Sequence, residues 1–377
     1  MRAGTFVYPW DVVGDPAAPG LLAGLGVETV TLASAYHSTR ALTPRHPAHR
    51  IVTAEHAAVL YPPDPDRWSG HTLRPYPAGE WAPGDSYGEA ARALADAGLE
   101  VHSWVVLAHN SRLGGEHPAT SVVNAYGDRY PWAPCIARPA VRAHLVELAA
   151  EAAVRPGAAG TELESCGWYG LAHLHAHDKT AGVPLGDREQ YLMSLCFCPS
   201  CREGYATEGA DPDELAAVVR GALAPVWSGS GPARLLGRFE DAVLSWRTRT
   251  ARSLQEDAVR AVREAAPPGF RVLLHADPDP ARCGANAGVD PAHVLGPADG
   301  VVTSAASVAP FAAHARAGTV LAANLPVVTG MGGSPRTLAD DAKRAAEAGA
   351  GELRLYHAGL ASDADLTAVR EALRTLS

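Results

Sequence analysis

The sequence predicts an α/β fold, a single (β/α)8 barrel domain that spans residues 1–377. Two observations predict it: eight short runs rich in valine, leucine and aromatic residues, and helical patterns between several of them. Strands and helices that alternate along a chain form a parallel sheet, and eight such units close into a barrel. No P-loop is present, and no G-x-G-x-x-G motif follows the first run, which disfavours a doubly wound sheet.

Each predicted strand is short and apolar, as expected for strands that are buried on both faces. In chain order the strands are Thr5–Tyr8, Thr29–Ala33, Val101–Ala108, Thr161–Glu164, Arg271–His275, Gly300–Ser304, Thr319–Asn324 and Leu353–His357. The predicted helices are Tyr87–Gly98, Arg138–Val154, Arg234–Ala265, Arg336–Ala348 and Ala364–Leu376. Glycines stand where several helices would end, a position that favours glycine.

Three long insertions follow predicted strands two, three and four. They span Ser34–Asp85, His109–Pro134 and Ser165–Gly231. Loops that follow the strands of such a barrel lie at its C-terminal face, where the active sites of these folds are found. We therefore expect all three insertions to border the functional site.

Composition and charge narrow the choice of partners. The net charge is −9, from 32 Lys and Arg against 41 Asp and Glu, which argues against a nucleic-acid partner. The amino terminus lacks an apolar segment and no run of 18 apolar residues occurs, so we expect a cytoplasmic protein without a signal peptide or membrane contact. The sequence leaves a homo-oligomer open.

Predicted strand four carries two carboxylates, Glu162 and Glu164, separated by Leu163. Because side chains alternate along a strand, both carboxylates should face the barrel axis, with Glu164 nearer the mouth. Buried like charges raise the pKa of one member of the pair, as a general acid requires. In the alternative interpretation, Glu162 is a structural carboxylate paired with an inner arginine such as Arg354.

Other polar and aromatic residues near strand ends are candidates for binding a substrate. His275 and Asp277 share one side of strand five, and Asp277 is a candidate second catalytic carboxylate. Aromatic rings beside carboxylates suit the apolar face of a sugar. The candidates for substrate binding are Tyr8, Trp10, His109, Trp168, His275, Asn324, Tyr356 and His357. Of Tyr356 and His357, the pattern does not say which faces inward, and Trp104 is interpreted as core.

A cysteine motif, Cys196-Phe-Cys198-Pro-Ser-Cys201, lies in the third insertion. This spacing brings three thiolates close enough to share one ion, and structural zinc is held by four nitrogen or sulfur ligands. Cys135 is the best fourth ligand, with Cys166 and His177 as alternatives. The cysteines could instead be buried without a metal.

These pieces resemble glycoside hydrolase family 42, the zinc-containing β-galactosidases of the large (β/α)8 glycosidase clan. The resemblance rests on Pro134-Cys135 before a helix, a Glu ending strand four, and the Cys-x-Cys-x-x-Cys motif, over roughly residues 100–210. It implies a structural zinc on Cys135 and the three motif cysteines, and Glu164 as the acid/base. The family has an Asn where Leu163 stands and a Glu nucleophile on strand seven, whereas residues 319–330 contain no Asp or Glu.

The sequence therefore supports one main hypothesis and two rivals. The main hypothesis is a glycoside hydrolase in which Glu164 protonates the leaving oxygen and Asp277 or Glu162 is the second carboxylate. In the second, Glu164, His275 and Asp277 bind a divalent metal in a sugar isomerase or epimerase. In the third, the protein binds a sugar without turning it over, because it lacks the strand-seven nucleophile.

Overall fold

The computed structural model describes residues 1–171 and 178–376 and contains a closed barrel of eight parallel strands. Strand 1 pairs with both strand 2 and strand 8, which closes the sheet. Barrel strands 1 to 8 are Arg2–Val7, Thr29–Tyr36, Glu100–Val106, Ala158–Glu164, Arg271–Asp277, Gly300–Ser304, Val320–Pro326 and Glu352–Tyr356. The predicted (β/α)8 barrel is confirmed, and the predicted strands differ from the observed ones by a few residues at their ends.

Helices surround the barrel and fill the insertions. They are Ala18–Ala23, Ser86–Asp96, Ser111–Glu116, Pro139–Ala153, Asp187–Met193, Pro199–Thr207, Pro212–Trp227, Glu240–Ala265, Pro291–Val294, Val308–Ala312, Leu338–Glu347 and Asp363–Leu376. Local sequence sets their starts: the Asp85 carboxylate accepts from the backbone N–H of Gly88, which caps one of the longer helices. Within residues 1–171 and 178–376, none of the helices has the length and apolarity needed to cross a lipid bilayer.

Short strands lie outside the barrel, mostly in the insertions. One hairpin pairs Thr39–Leu42 with Ile51–Ala54, and a second pairs Ser121–Val123 with Arg129–Pro134. Two further short strands extend the main sheet: Ala58–Val59 pairs antiparallel with strand 2, and Ala287–Gly288 pairs with strand 5. The second hairpin ends directly before Cys135 and places it beside the third insertion. The strand Ala287–Gly288 fixes the loop after strand 5 against the sheet.

Alternation of side chains divides the core into two parts. Leu163 of strand 4 packs outward in the large cluster between strands and helices. Glu162 and Glu164 therefore face the barrel interior, where an aromatic cluster that includes Phe6 and Trp104 fills one half. The barrel interior also holds a small apolar group at Leu273, Val302 and Ala322.

Candidate active site

The deeper carboxylate, Glu162, is fully buried and fully engaged. It accepts hydrogen bonds from the Arg354 guanidinium, from Thr31 Oγ1 at 3.2 Å and from His275 Nε2 at 3.2 Å. Burial alone would raise its pKa, but the Arg354 charge and the His275 contacts outweigh burial and lower the pKa to about 2. Glu162 is thus an ionised carboxylate in an ion pair. This is the geometry expected if Glu162 is a structural carboxylate paired with Arg354. We call Thr31, Glu162, His275 and Arg354 the buried layer.

Glu164 lies one step nearer the mouth and has a different environment. Its Oε2 accepts a hydrogen bond from Trp104 Nε1 at 2.7 Å, and the residue keeps 8% of its surface exposed. Burial raises the pKa of Glu164, His275 and the Trp104 hydrogen bond oppose that rise, and the charge of Glu162 adds to it. The net effect is a carboxyl group that retains its proton more readily than an ordinary glutamate, as a general acid must.

His275 connects the two carboxylates. Its Nε2 lies 3.2 Å from Glu162 Oε2, and its Nδ1 lies 4.0 Å from Glu164 Oε2. The ring is 4% exposed. His275 therefore hydrogen bonds to the deeper carboxylate and stands beside the outer one, where it lowers the pKa of Glu164 against the larger effect of burial.

The backbone immediately after Glu164 is strained. Ser165 has a φ of 56°, in the left-handed region that residues other than glycine rarely adopt. Its N–H donates to Ala285 O at 2.9 Å and its carbonyl accepts from Ala108 N at 3.2 Å, so loops after two neighbouring strands hold it in place. Such strain concentrates at functional sites, where the surroundings fix an unusual conformation.

Three tyrosines form a hydroxyl cluster beside Glu164. Tyr8 donates to Tyr36 across 3.0 Å, and the phenol of Tyr356 lies close to both hydroxyls. Burial raises the pKa of each phenol, and the nearby Glu164 carboxylate raises it further. All three are therefore neutral hydroxyls that can donate to a ligand. We call Trp104, Glu164 and these tyrosines the mouth layer.

Further predicted residues join this region. Trp10 stacks on Tyr8 with ring centroids 4.6 Å apart, and His357 lies 4.4 Å from Tyr8 on another side. Burial lowers the pKa of His357 to about 3, so its ring is neutral. Both Tyr356 and His357 lie within 6.2 Å of Trp104, so both residues contact the site. The prediction that one of them faces inward was too narrow.

Asn324 and His109 lie on opposite sides of the mouth. Asn324 is in strand 7, aligned with Arg354 of strand 8, and its Oδ1 is buried without a hydrogen-bond partner among the described residues. His109 stacks on Tyr169 with centroids 4.8 Å apart. Burial raises the pKa of Tyr169, and the charge of Glu164 raises it further. Tyr169 is therefore close enough to interact electrostatically with Glu164.

Trp168 and Asp277 do not join the cluster. Trp168 donates its indole N–H to the Arg247 carbonyl at 2.9 Å and lies under the Arg247 guanidinium, so it packs between barrel and helix. This corrects its interpretation as a sugar-binding ring. Asp277 accepts from the backbone N–H of Asp279 at 2.9 Å and lies 3.5 Å from the Arg282 guanidinium. In the described part of the chain, no hydrogen bond or ion pair links Asp277 to Glu164.

Sequence reasoning missed Tyr36 and the role of Trp104. Strand 2 shifts register between Ala33 and Ala35, so alternation counted from Thr31 does not place Tyr36 inside. Trp104 is core, as expected, but its indole N–H is aimed at Glu164. Trp104 lies opposite Glu162 on the neighbouring strand, two residues before the position opposite Glu164. That placement could have suggested the contact, because buried indoles find an acceptor.

The four cysteines meet in a buried cluster. Cys135 Sγ lies 3.7 Å from Cys198 Sγ and 3.5 Å from Cys201 Sγ, and all four sulfurs lie within 4.8 Å of one another. Backbone N–H groups of Val123 and Cys198 each donate to Cys196 Sγ at 3.4 Å. These distances suit a metal ion, since tetrahedral zinc–sulfur bonds of about 2.3 Å place sulfurs about 3.8 Å apart.

Neither of the two alternative fourth ligands, Cys166 and His177, belongs to this cluster among the described residues. Cys166 is buried elsewhere, where its carbonyl accepts from Gln255, and burial raises the pKa of its thiol to about 12. His177 lies outside the described residues. The cluster therefore consists of Cys135 and the three motif cysteines.

No model of a known protein family matches the sequence, and no curated protein does. Several solved structures share the fold. Alpha-L-fucosidase isoenzyme 2 from Paenibacillus thiaminolyticus has 14% identity and a TM-score of 0.61, with all of this chain covering 49% of it. The PgaB (BpsB) glycoside hydrolase domain from Bordetella bronchiseptica has 14% identity and a TM-score of 0.60, with 99% of both chains covered.

A third similar structure is Gan42B, a GH42 β-galactosidase from G. stearothermophilus, with 13% identity and a TM-score of 0.56. All of this chain is covered but only 56% of Gan42B. The chain thus spans about half the length of the fucosidase and of Gan42B, and nearly the whole PgaB domain. At such identities the likeness establishes the barrel fold that these glycoside hydrolases share.

Proposed function

We propose that this protein is a glycoside hydrolase in which Glu164 is the general acid/base. One observation carries the proposal: at the C-terminal end of strand 4 stands a buried carboxyl group whose pKa is raised and which still reaches solvent. The shared fold of the fucosidase, PgaB domain and β-galactosidase supports it, because catalytic residues of such barrels lie at strand ends.

In the proposed reaction, Glu164 gives its proton to the oxygen that leaves the sugar. It later accepts a proton from the attacking water, which restores the acid. The Trp104 indole fixes the carboxyl group through the 2.7 Å hydrogen bond. Neutral hydroxyls of Tyr8, Tyr36 and Tyr356 bind sugar hydroxyls or the developing positive charge at the anomeric carbon.

We assign the second carboxylate to Asp277. Glu162 is 0% exposed and held by Arg354, so it acts on Glu164 and His275 as a positioning residue and touches no substrate. The Asp277 side chain is 20% exposed at the end of strand 5, where water reaches it. It would stabilise the oxocarbenium-like centre, while Glu164 takes the proton of the attacking water.

We further propose that the cysteine cluster holds a structural zinc, as the resemblance to family 42 implies. The sulfur distances and complete burial fit a closed four-thiolate site without an open position for substrate. Cys135 precedes the helix Pro139–Ala153, and the other ligands belong to the third insertion. Zinc would tie that insertion to the barrel.

Metal analysis of the purified protein tests the zinc assignment. We expect one zinc per chain, lost in Cys201→Ser together with several degrees of thermal stability. Cys166→Ser is the matched control, because this buried thiol lies outside the cluster, and it should retain the metal. Equal metal content in both variants would contradict the assignment.

One specific observation supports a second candidate, a sugar-binding protein without turnover. Asn324 stands near the end of strand 7, and neither an Asp nor a Glu occurs at residues 319–330, where the family nucleophile would lie. The isomerase hypothesis has less support. Within the described residues the cysteine cluster is the only group whose ligand atoms converge for a metal, and Glu164, His275 and Asp277 form none.

Turnover of a panel of aryl glycosides tests the main proposal. We expect hydrolysis of at least one glycoside, reduced about 100-fold or more in Glu164→Gln because proton transfer is lost. Glu264→Gln is the control, since its side chain is 72% exposed on a distant helix. Full activity in Glu164→Gln would contradict the proposal, and tight sugar binding with no product would favour the second candidate.

A further inference from the structure

Arg247 is a buried cation that forms no ion pair with an acidic side chain of the described residues. It belongs to the helix Glu240–Ala265 and is 1% exposed. Its guanidinium lies 4.5 Å from the Trp168 ring centroid and 5.2 Å from that of Tyr191. Among residues 1–171 and 178–376, no carboxylate lies within ion-pair distance of it, and its Nε has no hydrogen-bond partner. A charge removed from water in this way requires a counter-charge.

The nearest group that can supply a negative charge is the thiol of Cys283. Arg247 Nη2 lies 3.0 Å from Cys283 Sγ, and its other polar contact is the Ser194 carbonyl at 3.5 Å. An arginine does not lose its proton in proteins, so the sulfur at 3.0 Å is the group placed to balance its charge. A guanidinium beside a cysteine is a recognised setting for reactive thiols.

Cys283 also faces an open space. It lines a cleft of about 320 Å³ between the loop after strand 5 and the helices Asp187–Met193 and Glu240–Ala265. Cys283 is half-buried, whereas the other five cysteines of the chain are buried. A small reagent can therefore reach this sulfur in the folded protein.

Four of the other charged groups of the cleft form two ion pairs with one another. Arg282 contacts Asp187 at 3.0 Å, and Arg188 forms an ion pair with Glu240. Asp279 accepts from the backbone N–H of Ala281. Asp279 and Asp241, which also lines the cleft, have no ion-pair partner among the described residues, so acidic groups outnumber basic ones at the rim. The Cys283 sulfur remains the partner of Arg247.

We propose that Cys283 is a reactive thiolate, held by the buried Arg247 guanidinium, and a site of oxidation by small hydroperoxides. The thiolate sulfur attacks the terminal oxygen of the peroxide, a sulfur–oxygen bond forms and the oxygen–oxygen bond breaks. The hydroxyl group passes to sulfur, giving a sulfenic acid, and the alkoxide leaves with the electron pair and takes a proton from water. Sulfur is oxidised by two electrons and the peroxide is reduced.

Alkylation of the native protein by iodoacetamide at neutral pH tests the thiolate. We expect a single adduct on Cys283, formed faster than on glutathione under the same conditions, and no such adduct in Cys283→Ser. Arg247→Gln should slow the reaction about tenfold or more, since the thiolate loses its counter-ion. Arg282→Gln is the matched control, an exposed cation of the same cleft, and should change the rate less than about twofold.

The comparison with glutathione keeps the test decisive if Arg247→Gln fails to fold. A Cys283 rate no faster than that of glutathione would overturn the proposal, as would equal rates in Arg247→Gln and the wild type. In the second arm, tert-butyl hydroperoxide is added with dimedone, which traps sulfenic acids. We expect a dimedone adduct on Cys283, and its absence would overturn the oxidation step. None of these readouts depends on glycoside hydrolysis.

Discussion

Two carboxylates on one strand, two residues apart, have opposite properties. Glu162 in the buried layer has its pKa lowered to about 2, whereas Glu164 in the mouth layer has its pKa raised. Both are buried, so burial alone does not decide the protonation state. The partners decide it: Glu162 has the Arg354 cation, and Glu164 has the neutral indole of Trp104.

The contrast extends to the rest of each layer. The buried layer consists of charged and hydroxyl groups that saturate one carboxylate, and Arg354 is itself shared with Glu352 at 2.9 Å. The mouth layer consists of phenols and an indole, which donate hydrogen bonds but carry no charge. A barrel can therefore keep one carboxylate ionised and a second one, two residues nearer the mouth, protonated. It does so by placing a charged donor beside the first and neutral donors beside the second.

Substitution of Glu162 in the buried layer should change stability more than any other substitution in the two layers. Glu162→Gln leaves the Arg354 guanidinium without its main counter-ion and should lower the free energy of unfolding by about 3–5 kcal/mol, as measured by urea denaturation. The matched control is Glu164→Gln, two residues along the same strand. It removes a carboxyl group that burial already disfavours as an anion, so its stability should stay within about 1 kcal/mol of the wild type. Equal losses in both variants would contradict the comparison.

The ion pair of Glu162 should also make the stability of the protein depend on pH. Because the pKa of Glu162 is lowered to about 2, its stabilisation is complete above the unfolded value of about 4.5 and is lost as pH falls toward 2. That shift corresponds to about 3 kcal/mol. Unfolding experiments across this window should show a slope that Glu162→Gln flattens. An unchanged slope in the variant would assign the acid sensitivity to other groups.

A substitution of Trp104 in the mouth layer should have a smaller effect. Trp104→Phe removes the indole N–H that hydrogen bonds to Glu164, an interaction that lowers the pKa of this carboxyl group. The pKa of Glu164 should therefore rise further, and the lost ring volume should cost about 2 kcal/mol of stability. Carboxyl carbon NMR titration of the variant measures the shift. A fall in the pKa of Glu164 would contradict the role given to the indole.

Much of this arrangement could be predicted from the sequence because it follows from periodicity. Buried apolar runs predicted the barrel, and alternation about Leu163 predicted that Glu162 and Glu164 face inward. The pairing of Glu162 with Arg354 was open as an alternative, since a buried carboxylate needs a cation. Cysteine spacing indicated three members of the cluster, and Cys135, predicted as the best fourth ligand, completes it.

The remainder depended on local irregularities that periodicity does not encode. A register shift in strand 2 turns the Tyr36 side chain toward the mouth, and in the loop after strand 4 Trp168 donates to the Arg247 carbonyl. Hydrogen-bond direction is another such feature, because the sequence does not say where the Trp104 indole points. These features arise from tertiary packing, which single-sequence patterns do not report.

The most direct test of the account is the titration of the Glu164 carboxyl group itself in the wild-type protein. Carboxyl carbon NMR follows it, with Glu164→Gln to assign its signal. We predict a pKa above the ordinary glutamate value of about 4.5, with Glu162 titrating well below it. A pKa for Glu164 at or below that value would contradict its assignment as the proton donor.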